Sequence, residues 1–172
     1  TQLSIGNPLD PIDTAIETRK LDKVTEYVPG DLTVHVESGV RLKQLAVVLG
    51  EYNQMIPLDP WTDPEATIGG IVATNVQGPL HTVGRVRDWI IGMKVVQVGG
   101  RQSKTGGRVV KNVSGYDLGK LYTGSFGSLA VISEISFKLR AQYETTATAR
   151  IYVDGFAAAE KIIQEIRSGP FE

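Results

Sequence analysis

The sequence predicts an α+β fold, and three observations carry that prediction. Leu129, Val131, Ile135, Phe137 and Leu139 occupy one parity of an extended segment while Glu134, Ser136 and Lys138 occupy the other, the pattern of a strand with one buried face. Phe156, Ala159, Ile162, Ile163 and Ile166 recur at helical spacing. Elsewhere short β-prone runs and turn residues alternate with helical stripes, without internal repeats, coiled-coil heptads or low-complexity tracts. With 172 residues, 41% of them hydrophobic, the chain can bury one ordinary core but is too short for two full domains.

In chain order, the first twenty residues hold Gly6, Pro8, Pro11 and several aspartates with no sustained period, which predicts a loop. Residues 21–28 and 33–37 flank Pro29-Gly30-Asp31, a turn-forming trio, and read as a hairpin. Leu42, Leu45, Ala46 and Leu49 then fall at helical spacing, with Gly50 placed as a glycine stop. Residues 52–65, with Pro57, Asp59, Pro60, Asp63 and Pro64, read as a long surface connection. Residues 89–98 read as a strand that Gly99-Gly100 turns into a second, more polar arm at 101–104. After the strand at 129–139, residues 147–153 alternate as a further strand and Asp154 is placed to cap the last helix. One strand and one helix leave faces uncovered, so a second small domain is expected to begin there without finishing.

Composition excludes several functions. A formal charge of -1, from 18 basic and 19 acidic residues spread along the chain, gives no field to recruit nucleic acid or an anionic membrane. No window reaches the roughly 18 apolar residues of a membrane span, and Thr1-Gln2-Leu3-Ser4-Ile5-Gly6 lacks signal-peptide character, so a soluble, cytoplasmic location without membrane insertion is expected. With no cysteine, thiolate catalysis, disulfides, iron–sulfur ligation and cysteine-containing zinc sites are excluded within the chain, and no metal site is expected. His35 lies in the alternating run Thr33-Val34-His35-Val36-Glu37 and reads as solvent-facing or cross-strand, whereas His81 lies in a Gly-Pro loop.

Two glycine-bearing stretches about fifty residues apart are the candidate chemistry: Ala66-Thr67-Ile68-Gly69-Gly70-Ile71-Val72-Ala73-Thr74-Asn75 and Thr123-Gly124-Ser125-Phe126-Gly127-Ser128-Leu129. Each sets small residues with free backbone N–H groups beside a hydroxyl or amide, as a backbone must to approach a phosphate or a flat polar ring. Gly69 and Gly70 remove two β-carbons where the main chain is expected to turn under a ligand, although such a turn also serves as a plain connection. The segment 75–84, with Gly78 and Gly84, is a long irregular loop of the kind that binds something. Arg85 and Arg87 behind it are read either as pyrophosphate partners or as a solvated strand entrance. Asp117 is placed to cap a short helix through Leu121, and Gly124 and Gly127 sit at a junction into the alternating strand.

In this order the pieces resemble the FAD-binding domain of the vanillyl-alcohol oxidase type, also called the PCMH-type flavoprotein fold. The resemblance rests on Pro64 to Asn75, on Val83-Gly84 with Arg87-Asp88, on Lys111-Asn112-Val113-Ser114-Gly115-Tyr116-Asp117-Leu118, and on Gly124 to Glu134. It is nearest to the FAD-linked 2-hydroxy-acid dehydrogenases, and Val113-Ser114-Gly115 with Ser125-Phe126-Gly127 looks most like the FAD-binding subunit of glycolate oxidase. It covers about 1–140 and implies a mixed and antiparallel sheet flanked by helices.

What the resemblance implies is specific. Residues 1–140 would be a partial FAD-binding domain lacking its N-terminal βαβ unit, with 1–6 the tail of a glycine-rich pyrophosphate loop. Residues 141–172 would begin a ferredoxin-like substrate cap. FAD would meet Thr67, Ile68, Gly69 and Gly70 on its pyrophosphate side, Thr74, Asn75 and Gly84 near the flavin and ribityl chain, and Ser125, Gly127 and Ile132 at the adenine or ring edges. A 2-hydroxy acid such as glycolate or D-lactate would give a hydride to flavin N5 while a base took the hydroxyl proton. That base would come from the cap or from chain beyond Glu172, so no catalytic residue is expected here, and the isolated segment is expected to be inactive. Partner oxidase subunits, an iron–sulfur subunit among them, are implied. Two alternatives stay open: another flavoprotein of this domain type, against which the 111–117 phrase argues, and a non-catalytic assembly subunit that keeps the fold.

Overall fold

The computed structural model describes residues 13–61, 65–107 and 117–169. The chain divides into two units, Thr1–Gln142 and Tyr143–Glu172.

The first unit is built on a five-stranded sheet in the order β1-β2-β6-β4-β5. Its strands are β1 (Val24–Val28), β2 (Thr33–Glu37), β4 (Ile90–Val96), β5 (Gln102–Gly106) and β6 (Val131–Lys138), and every described pairing is antiparallel. The expected hairpin forms: a 3-10 turn at Pro29–Asp31 joins β1 to β2, with Leu32 taking the left-handed conformation that closes it. A second small sheet pairs β3 (Gln54–Met55) with β7 (Arg140–Ala141).

Alternation puts one side chain in two toward the helices. Val34 and Val36 of β2 lie opposite Phe137 and Ile135 of β6, and Met93 of β4 lies opposite Ile135. All five join one core cluster with Leu45 and Leu49 of α1 (Leu42–Gly50) and Ile68, Ile71 and Val72 of α2 (Ile68–Thr74). Full burial of each such side chain contributes about 1.5–3 kcal/mol. The register slips between Lys94 and Val95, which face Glu134 and Ile132, leaving Ser133 as the extra residue of a β-bulge. The bulge turns Ile132 inward to 6% exposure while Val131 is only half-buried, against the single parity expected across 129–139. His35 proves cross-strand and buried, its Nδ1 2.6 Å from Ser136 Oγ.

Several expectations are corrected. Gly50 lies inside α1 rather than after it, and the left-handed residue past the helix is Asn53, with φ 52°. Segment 52–65 is not wholly a surface connection: it contributes β3 and buries Ile56 and Leu58. Trp89 closes α3 (Val86–Trp89) instead of opening β4. In the second unit, 147–153 forms no strand, since no strand among the described residues pairs with it, and the last helix, α5 (Phe156–Ser168), begins after Gly155 with no cap bond from Asp154. Phe156, Ile163 and Ile166 of α5 are exposed. Among the described residues no helix is long and apolar enough to cross a membrane.

Candidate functional site

The first glycine stretch is a helix, not a turn. Thr67, in extended conformation, caps α2 through its Oγ1, which accepts from the Gly70 amide at 3.2 Å. The Ile68 and Gly69 amides donate to the carbonyls of Val40 and Ser38, at 2.8 and 2.7 Å. The expectation of free amide donors at Gly69 and Gly70 is therefore corrected: all three are spent on the fold. Gly69 is needed for packing, since a Cβ there would stand 2.6 Å from Ser38 Cβ and 2.8 Å from its carbonyl oxygen. Gly70 is exposed, and a Cβ would meet only Thr67 Oγ1, at 3.2 Å. Thr74 Oγ1 donates back to the Gly70 carbonyl at 2.8 Å, which leaves the hydroxyl oxygen able to accept.

The C-terminal end of α2 meets the second glycine stretch. Asn75 ends the helix in the left-handed conformation (φ 53°), its amide shared between the Ile71 and Val72 carbonyls. The Gly124 amide donates to Val72 at 3.0 Å and the Phe126 amide to Ala73 at 2.8 Å, so the 124–127 turn supplies partners for helix-terminal carbonyls. Gly124 holds φ 79° with Asn75 Cβ only 3.3 Å from where its own Cβ would stand. The turn follows α4 (Leu118–Tyr122); Asp117 occupies its N-cap position but pairs with Lys120 Nζ at 3.2 Å instead of bonding a helix amide. Among the described residues Ser125 Oγ is buried without a hydrogen-bond partner, Gly127 (φ 76°) faces open space, and Phe126 is 60% exposed.

Segment 75–86 is pinned by side chains in place of a sheet. Gln77 Nε2 donates to the Gly84 carbonyl at 2.6 Å while its Oε1 accepts from the Val86 amide at 2.9 Å. The Asp59 carboxylate accepts from the Gly78 amide at 3.0 Å and the Leu80 amide at 2.9 Å. Trp89 Nε1, buried and without a hydrogen-bond partner among the described residues, would lie 2.8 Å from a Cβ on Gly84, so glycine suits the place against the indole. Lys138 Nζ stands 5.5 Å from the center of the Trp89 ring.

The remaining candidates fall as follows. The side chains of Ile68 and Ile132 belong to the core, which leaves only their backbones for a ligand. His81 is exposed and its Nδ1–H donates to the Gly78 carbonyl at 2.9 Å. Arg85 and Arg87 are exposed, with Arg87 Nε 3.7 Å from Asp88. The readings at 1–6 and 111–116 lie outside the described residues. Asp59, Gln77 and Trp89 were not singled out by sequence; the signal available for Asp59 was its place in a proline-rich stretch that carries buried Ile56 and Leu58. No group of three or more His, Cys, Asp or Glu side chains among the described residues could hold a metal ion.

Residues 1–120 match a family model described as an FAD binding domain. The chain is 38% identical over 118 residues to glycolate oxidase subunit GlcE of Escherichia coli, an alignment covering 67% of this chain and 34% of that protein. It is 31% identical over 150 residues to glycolate oxidase subunit GlcD of Bacillus subtilis, covering 86% of this chain and 32% of that one. Against the mitochondrial D-lactate dehydrogenase [cytochrome] of Arabidopsis thaliana it is 43% identical over 111 residues, 64% of this chain and 19% of the relative. The chain thus spans between 19% and 34% of the length of these relatives.

Proposed function

From the premise that the chain belongs to the FAD-binding domain family, we propose that it is the cofactor-holding part of a flavin-dependent oxidoreductase that oxidizes a small 2-hydroxy acid, glycolate or D-lactate. The observation that carries this reading is the joint between α2 and the 124–127 turn, where Gly124 and Phe126 bond to Val72 and Ala73 and bring both glycine stretches to one place. The names of the relatives, glycolate oxidase subunits and D-lactate dehydrogenases, supply the substrate class.

Two local features support a planar cofactor at this place. Among the described residues a buried hydroxyl at Ser125 lacks a partner and Gly127 has no neighboring atom within 4 Å of its missing side chain, which permits close approach of a ring to the backbone. When bound, FAD would accept the hydride equivalent from the substrate carbon. The residues proposed to hold it are Thr67, Gly70, Thr74 and Asn75 along α2, Gly84 in the pinned loop, and Ser125 and Gly127 in the turn, with Ile68, Gly69 and Ile132 contributing backbone. Because the amides at the start of α2 are spent, this face would offer hydroxyls, the side-chain amide of Asn75 and Cα–H surface, not an amide nest. Thr67 Oγ1 accepts from Gly70, so its hydrogen stays free to donate.

The second unit is read as the start of a substrate cap of ferredoxin-like type, a reading supported by the apolar side chains that α5 presents at Phe156 and Ile163. Partner subunits, with an iron–sulfur protein to carry electrons away, and a cytoplasmic location complete the proposal. Purification of the full-length protein with its partner subunits tests it: a flavin absorption spectrum that bleaches anaerobically on addition of glycolate or D-lactate is expected. Absence of both the spectrum and the bleaching would refute it.

A further inference from the structure

Two side chains anchor segment 77–86 on either side of its short 3-10 helix. Its own backbone forms only the short 3-10 helix Pro79–Thr82 among the described residues, with His81 bonded to Gly78 at 3.1 Å and Val83 to Leu80 at 3.0 Å. The Gln77 side-chain amide donates to the Gly84 carbonyl and accepts from the Val86 amide, and the Trp89 indole nitrogen stands 2.8 Å from where a Gly84 Cβ would lie. The Asp59 carboxylate, reaching from a different segment, fixes Gly78 and Leu80. Pro79, His81 and Thr82 are exposed, so this bonding serves a surface loop. Bonds of this kind each contribute modestly to stability but fix backbone position closely.

We propose that Gln77, assisted by Asp59, is a positioning residue of the cofactor site, holding the Gly84 backbone where FAD meets it. Neither side chain need touch the cofactor; both act by setting the loop before FAD arrives, which spares the ordering cost of binding. The proposal rests on the flavin reading given above.

The test compares FAD binding to the full-length apoprotein in the wild type, Gln77→Ala, Asp59→Asn and Leu49→Ala. The last removes a core side chain of α1 and controls for general loosening. Gln77→Ala is expected to weaken FAD binding about tenfold and to shift the flavin midpoint potential. Asp59→Asn, which retains one acceptor oxygen, is expected to give a smaller loss, and Leu49→Ala to lower the unfolding temperature with FAD affinity little changed. FAD binding and potential in Gln77→Ala equal to wild type, or a loss no larger than in Leu49→Ala, would overturn the proposal. Should Gln77→Ala not fold, Asp59→Asn decides alone, and wild-type FAD affinity in it overturns the proposal. A wild type that itself takes up no FAD would remove the flavin reading and this role together, an outcome visible before any variant is made.

Discussion

The Phe126 amide donates to the Ala73 carbonyl at 2.8 Å, so a residue of the second glycine stretch completes the end of the helix formed by the first. The turn at 124–127 and the end of α2 therefore form one joint, and its geometry depends on glycine at 124.

Gly124→Ala should loosen that joint. At φ 79° alanine costs about 1–2 kcal/mol, and its methyl would stand 3.3 Å from Asn75 Cβ. Urea unfolding is expected to show a lower midpoint with unchanged slope, together with weaker FAD retention.

Gly69 and Gly70 should respond oppositely to alanine. At Gly69 the methyl meets Ser38 at 2.6 Å, so α2 must shift from β2, with a loss of about 1–3 kcal/mol. At Gly70 the only near atom among the described residues is Thr67 Oγ1 at 3.2 Å, and the helix propensity gained, up to about 1 kcal/mol, offsets the crowding. Thermal unfolding of the two variants separates them, and FAD titration of Gly70→Ala should show weakened binding at near-native stability.

Phe137→Ala should cost about 3–5 kcal/mol. The ring is fully buried on the central strand, opposite Val34 and Ile90. Chemical denaturation measures the loss.

Alkaline pH should weaken the first unit at Tyr27. Burial first, then the neighboring Tyr52 and Glu51, push this phenol above its ordinary value, and its O–H donates to Gln54 Oε1 at 3.0 Å. The folded state therefore holds the proton more tightly than the unfolded chain. The stabilization is complete below pH about 10 and is lost as pH rises through the folded-state value. Tyr27→Phe should flatten that decline in denaturation curves taken from pH 8 to 11, at a cost near neutrality of about 0.5–1.5 kcal/mol from the lost hydrogen bond.

What could be read from the sequence was local. The β1–β2 hairpin announced itself through Pro29-Gly30-Asp31, and α5 through its apolar spacing, because both patterns lie within a few neighboring residues. Thr67-Ile68-Gly69-Gly70 suggested a turn because glycine disfavors helix; Ser38, far from Gly69 in the chain, selects glycine by packing and lets the helix form. The bulge at Ser133 was invisible because a slip in register shows only against the partner strand. The alternation at 147–153 was a pattern without a paired neighbor. Of the candidate site, the glycines were legible but not the clamps: Gln77 and Asp59 act on backbone atoms up to 21 residues away, and no spacing rule reports such contacts.

The strand order carries a consequence for biogenesis. β6 lies between β2 and β4 although it is last in sequence of the five. As the polypeptide leaves the ribosome, the β1–β2 and β4–β5 hairpins emerge with their inner edges unsatisfied, and they can be joined only after Val131–Lys138 has been synthesized. Such late, nonlocal closure slows folding and exposes strand edges to other nascent chains in the interval. The keystone of the sheet arrives after everything it locks.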